Sequence, residues 1–169
     1  MVEDMKRAEA NGKAWLESIA EMVRALGADF ERRDELRSLL KETETDPDAR
    51  MDEDDRAELD ELEAACKIDG REMKDADAVR ERIQESPLSV QVRGGWHDPG
   101  ADDDGPEEYC VLLSTGGPAL RIIGDLDGVG YAETATMQCQ DWCTPWRDVD
   151  TSEYGAALLA FVQEFYFGE

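Results

Sequence analysis

Apolar positions along this chain recur with two different periods. From the N-terminus, Ala8, Trp15, Ile19, Met22, Val23 and Leu26 return at three- and four-residue steps and form one stripe, which predicts a helix from about Glu3 to Ala28. Gly12 is a weak point within it, worth about 1 kcal/mol against alanine. Gly27 offers a stop, and Asp29 can start the next element. A second helix is predicted over about Glu31 to Glu44, with Leu36, Leu39 and Leu40 inward. The segment TETDPDARMDEDD reads as a loop, because Pro47 biases Asp46 away from helical angles. A third helix follows from about Asp52 to Lys67, with Leu59, Leu62, Ala65 and Cys66 inward, and Asp69-Gly70 ends it. A short fourth helix around Ala76 to Gln84 places Val79 and Ile83 together.

From Pro87 the period becomes two. Leu88, Val90 and Val92 alternate with Ser89, Gln91 and Arg93, the pattern of a half-buried strand ending at Gly94-Gly95. HDPGADDDGP is a loop with four acids. Tyr109 to Thr115 is the next strand, Gly116-Gly117-Pro118 a tight connection, and Ala119 to Gly124 a third strand. LDGVG turns the chain into a fourth, Glu133 to Trp142. Reversals this short favour antiparallel neighbours, since parallel strands need a crossover of a dozen residues or more. A closing helix from about Ser152 to Tyr166 buries Leu158, Leu159, Val162 and Phe165 against the sheet. Trp142 and Trp146 are expected to close the sheet core, with Phe165 or Phe167 docking the last helix. An exposed aromatic remainder would serve a homodimer contact. The expected fold is α+β: a helical region over residues 1–86, then a four-stranded antiparallel sheet with a C-terminal helix packed on it over 87–169.

Charge narrows the function. There are 42 acidic and 18 basic residues, a net charge of -24. Residues 1–86 hold 27 acids and 15 bases; residues 87–169 hold 15 acids and only Arg93, Arg121 and Arg147. A field this negative repels nucleic acid and anionic membrane and draws in basic protein surfaces. No stretch approaches the roughly 18 apolar residues of a bilayer-spanning helix. The N-terminus shows no apolar core and cleavage site of a secretory signal, so a cytoplasmic protein is expected. Cys66, Cys110, Cys139 and Cys143 are then read as free thiols.

The densest charge runs from Glu42 to Glu63, with 12 acids and two arginines. Duplex DNA carries one charge per about 1.7 Å of axis, while helical residues three or four apart rise about 4.5 to 6 Å along one face. One helix face cannot match that density, but two antiparallel helices and their loop come closer. Asp52, Glu53, Asp54, Asp55, Glu58 and Glu61 are the first candidates for a partner-binding surface, and Asp102, Asp103 and Asp104 extend it if the fold brings them to the same side. The bland alternative is a solvated helical surface.

Other chemistry is less well served. The acids lack the central glycine and terminal glutamate spacing of a paired-helix calcium loop. Cys139 and Cys143, with Cys110 and His97, are a formal zinc set, but residues four apart in a strand lie about 13 Å apart. No metal or cofactor is expected. His97 is the sole histidine, no activated nucleophile is evident, and Gly116-Gly117 lacks the spacing and lysine of a phosphate loop. No enzyme is expected.

The segments SPLSVQVRGGWHDPG, EEYCVLLSTGGPALRIIGDLDG, QDWCTPW and FVQEFYFGE resemble a family of uncharacterised proteins of bacterial mobile elements and prophages. The resemblance covers about half the chain and departs at Cys143, where the family pattern has glycine. It implies a mobile-element context and supplies no activity, catalytic residue or cofactor. Mobile elements encode small acidic inhibitors of host defences. With the charge, this makes the expected function a DNA-mimicking inhibitor of a CRISPR or restriction complex in a bacterial host cell, binding its basic DNA-binding surface and neither nucleic acid nor membrane directly. The alternatives are an accessory mobile-element protein with a different protein partner, and a small zinc-stabilised module.

Overall fold

The structure, a computed structural model, describes residues 2–46, 50–95, 105–142 and 144–168. Among the described residues no helix is long and apolar enough to cross a membrane. The fold is α+β, with five helices and antiparallel sheets among the described residues. The chain divides into two compact units, residues 21–81 and residues 1–20 with 82–169.

The first unit is built from the end of α1 (Val2–Leu26), α2 (Phe30–Thr45), α3 (Glu53–Ala65) and the start of α4 (Ala76–Glu85). Its core is Met22, Ala25, Leu36, Leu59, Cys66, Ile68 and Val79, each no more than 2% exposed. Short carboxylates start its helices by accepting orphan backbone N–H groups. Asp29 accepts from the Arg32 N–H at 2.9 Å, Asp52 from Asp55 at 2.8 Å and Asp75 from Ala78 at 2.9 Å. Asp69-Gly70 does more than end α3. Both residues have positive φ (49° and 73°), which suits a two-residue hairpin turn between β1 (Lys67–Ile68) and β2 (Arg71–Glu72). Arg33, 3% exposed, donates from Nη1 to the Met73 carbonyl and from Nη2 to that of Lys74, both at 2.9 Å, and fastens the segment after the hairpin to α2.

The second unit carries a five-stranded antiparallel sheet ordered β3 (Ser89–Arg93), β4 (Glu108–Ser114), β5 (Ala119–Asp125), β6 (Thr136–Gln140) and β7 (Arg147–Asp148). The four-stranded expectation is therefore corrected by one strand. Two residues long and two after Pro145, β7 is too short for any alternation to reveal. One face of the sheet is buried through Tyr109, Val111, Leu113, Leu120, Ile122, Met137 and Cys139, all at 3% exposure or less. Ala8, Leu16 and Ile19 of α1 and Leu158, Phe161 and Val162 of α5 (Gly155–Val162) are buried in the same unit. Gly12 also turns out to be a packing residue. A Cβ placed there would lie 3.0 Å from Val149 Cγ2 and 3.6 Å from Leu120 Cδ2, so the missing side chain lets α1 approach the sheet.

Two further expectations are corrected. Leu88, Val90 and Val92 do alternate, but they are 60%, 43% and 47% exposed, because no described residue covers that face at the sheet edge. Trp142 is 74% exposed and lies against Gly117 rather than closing the core. Trp146 is half-buried, with the Arg121 guanidinium 4.2 Å from its ring centre. The last helix is shorter than its apolar pattern, ending at Val162. Phe165 and Phe167 still turn inward, and Phe167 stacks on Tyr109 with ring centres 4.6 Å apart.

Candidate partner-binding surface

The acidic candidates sort into two groups by the side of α3 on which they fall. A helix advances about 100° per residue, so positions 53, 54, 57, 60, 61 and 64 share one side and 55, 58, 59 and 62 the other. Burial follows this division. Glu53, Asp54, Asp60 and Glu61 are exposed, Leu59 is buried, and Asp55 and Glu58 are half-buried.

The inward carboxylates are matched by arginines of α2. Arg32 donates from Nε to both Glu58 oxygens at 3.2 Å, and from Nη2 to Glu58 Oε2 at 2.8 Å and Asp55 Oδ1 at 2.9 Å. Arg37 donates from Nε to Glu63 Oε1 at 2.8 Å and from Nη1 to Glu72 on β2. Hydrogen bonds from Arg32 hold the Glu58 carboxyl below its ordinary pKa, and those from Arg37 do the same for Glu72. Both guanidiniums are raised in turn, first by these hydrogen bonds. The partner order runs the same way along the two helices, Arg32 with residues 55 and 58 and Arg37 with 63.

The six candidates of this region therefore have different roles. Asp52 caps α3, Asp55 and Glu58 hold Arg32, and Glu53, Asp54 and Glu61 face solvent without an ion-pair partner among the described residues. Asp60, which the sequence reading passed over, belongs with them. It stands seven residues after Glu53, as Glu61 does after Asp54, and each step spans about 10.5 Å on one side of the helix. That heptad relation was the signal that would have found it. The surface is a patch of four carboxylates in two rows, sparser than a duplex backbone. Asp102, Asp103 and Asp104 lie outside the described residues.

The second unit offers different chemistry. A shallow concavity of about 690 Å³ lies on the sheet face opposite the core and is lined by Gln91, Cys110, Arg121, Ile123 and Thr136. Its Arg121 is already engaged by a side chain of β6 that is itself tied to β7. Arg121 donates from Nε and Nη2 to Gln138 Oε1 at 2.9 and 2.7 Å, and Gln138 Nε2 donates to Asp148 at 2.8 Å. Cys110 pairs with Ile123 on this face, whereas Cys139 pairs with Leu120 on the buried face, so the two thiols cannot share one zinc. Burial raises the Cys139 thiol above its usual pKa. His97 and Cys143 lie outside the described residues, and among the described residues no cluster of three or more His, Cys, Asp or Glu side chains is placed to hold a metal. Comparison of the chain with known protein families, characterised proteins and solved structures finds no match in any of the three.

Proposed function

We propose that this chain is a non-enzymatic acidic inhibitor that occupies the basic, DNA-binding surface of a host defence complex. The observation that carries the reading is the division of α3: its inward carboxylates are neutralised by Arg32 and Arg37, while Glu53, Asp54, Asp60 and Glu61 stay exposed and without an ion-pair partner among the described residues. Had the acids served only to balance the arginines of the unit, the outward four would be superfluous. Exposed carboxylates steer an arginine-lined groove toward the helix. With the carboxylates of each row about 10.5 Å apart along the helix, the patch meets separate cations of a groove and does not copy every phosphate. The net charge of -24 and the mobile-element resemblance of the C-terminal half both favour such a target in a bacterial cytoplasm.

The test is replacement of Glu53, Asp54, Asp60 and Glu61 together by lysine, a set chosen to spare the cap and the ion pairs. Tagged wild-type and variant chains are used to capture partners from nuclease-treated bacterial lysate at about 0.15 M and 0.5 M salt. A DNA-binding partner retained by the wild type at the higher salt, lost by the variant and displaced by duplex DNA supports the reading. Equal capture by the folded variant, or a partner indifferent to DNA, overturns it.

A further inference from the structure

The sheet of the second unit has two edges of opposite character. At one, β7 is two residues long, both charged and exposed, and Pro145 stands just before it. Short, charged, proline-flanked edges resist pairing with another chain. At the other, β3 has five residues, pairs among the described residues with β4 alone, and has no charge until Arg93, whose Nε donates to Glu108 at 2.7 Å.

The face of β3 that continues the core is left open. Val90 is in register with Val111 and Val92 with Tyr109, so these side chains share the helix-covered face. Val111 and Tyr109 are 0% and 2% exposed, whereas Leu88, Val90 and Val92 stand at 43% or more. Apolar side chains at alternate positions beside a free ladder edge are what an added strand reads, with the main chain supplying affinity and the alternate side chains specificity. Exposed carboxylates flank this strip. Glu85 precedes Leu88 by three residues, and the Glu107 carboxylate lies against Gly95 just beyond Arg93.

We infer that the β3 edge receives an extended basic segment of a partner protein, added antiparallel or parallel to Ser89–Arg93, with alternate apolar side chains on Leu88, Val90 and Val92 and lysine or arginine at its ends near Glu85 and Glu107. A second copy of this chain fits less well. Antiparallel pairing about Gln91 would set Val90 opposite Val92 of the copy, but it would also bring the Glu85 end of one chain to the Glu107 end of the other, with -24 on each. The inference stands apart from the acidic face of α3, since every residue it uses lies in the second unit.

The test is a titration of the ¹⁵N-labelled full chain with a synthetic peptide in which valine and threonine alternate between terminal lysines. Peptides with terminal glutamates, or with the valines grouped together, serve as controls. Amide shifts concentrated at residues 88–93 are expected with the alternating basic peptide, with binding about tenfold or more tighter than either control. Val90→Lys with Val92→Lys should abolish the response, and Val90→Thr with Val92→Thr, which keeps the β-branched shape, should weaken it if the lysine pair does not fold. The lysine replacement of the α3 patch should leave it intact, which separates this surface from that one. Equal binding of the grouped peptide, shifts centred on α3, or β3 shifts that grow with protein concentration alone and mark a second copy, would each overturn the inference.

Discussion

Arg32 on α2 holds Glu58 on α3 by three hydrogen bonds and reaches Asp55 with the same Nη2, so a carboxylate that reads as available in the sequence is already engaged. The pair ties together two helices whose buried residues are Arg33 and Leu36 on α2 and Leu59 on α3. Charge changes on α3 therefore split into structural and surface effects according to side. Asp55→Lys with Glu58→Lys is expected to lower Tm through repulsion of Arg32, while Glu53→Lys with Asp60→Lys lowers it less, through loss of a first-turn charge worth about 0.3 to 1 kcal/mol. Thermal melts followed by circular dichroism decide this, and an unchanged Tm in the first variant would refute the engaged role.

The same pair gives a pH signature. The Glu58 carboxyl is depressed in the folded chain by the Arg32 hydrogen bonds, so the unfolded chain takes up its proton first as pH falls. Its contribution is present above the ordinary glutamate pKa of about 4.3 and is lost as pH falls through the lower folded value. Wild type should exceed Glu58→Gln in stability at pH about 7, and the two should converge in strong acid. Urea melts across that range measure the difference, and a gap that persists in acid would point to packing instead of charge.

Gly12→Ala tests the approach of α1 to the sheet. Helix propensity alone predicts a gain of about 1 kcal/mol. The new methyl would meet Val149 Cγ2 at 3.0 Å, and overpacking costs about 1 to 3 kcal/mol, so net destabilisation is expected. Adding Val149→Ala should recover part of the loss. A Gly12→Ala chain more stable than wild type would show that Val149 yields freely.

Loss of the Asp52 cap should cost about 1 kcal/mol in Asp52→Ala, from the unsatisfied Asp55 N–H. Asp52→Asn and Asp52→Ser should restore most of it, whereas a pure charge effect would be restored by neither. Denaturant midpoints distinguish the two.

Two aromatic truncations separate core from surface. Phe161 is fully buried and Phe161→Ala should cost about 3 to 5 kcal/mol. Trp142, mostly exposed, should change stability by about 0.5 kcal/mol or less, because the Asp141 carboxylate that anchors this turn accepts from the Trp142 backbone N–H at 2.7 Å and not from the indole. Equal losses for the two would restore Trp142 to the core.

Local pattern was enough to locate α1 to α4, β4 and β5, since period, caps and breakers are carried by neighbouring residues. Strands of two residues escaped it. At β1 and β2 the Asp-Gly turn is a usable signal, since the pair that stops a helix also suits a hairpin. At β7 the pairing of Gln138 with Asp148 and Cys139 with Arg147 depends on a neighbour across the sheet, and no local rule announces it.

By itself, the sequence determined the α+β class, the order of most elements and the excess of carboxylates, because each follows from residue types and their spacing along the chain. Tertiary structure decided which carboxylates remain free to act. Asp55 and Glu58 differ from Glu53 and Glu61 only in facing Arg32, a residue more than twenty positions away. It likewise decided that Val90 and Val92 alternate like core residues yet stand exposed, since burial of a strand face requires something packed against it, and at the β3 edge no described residue covers them.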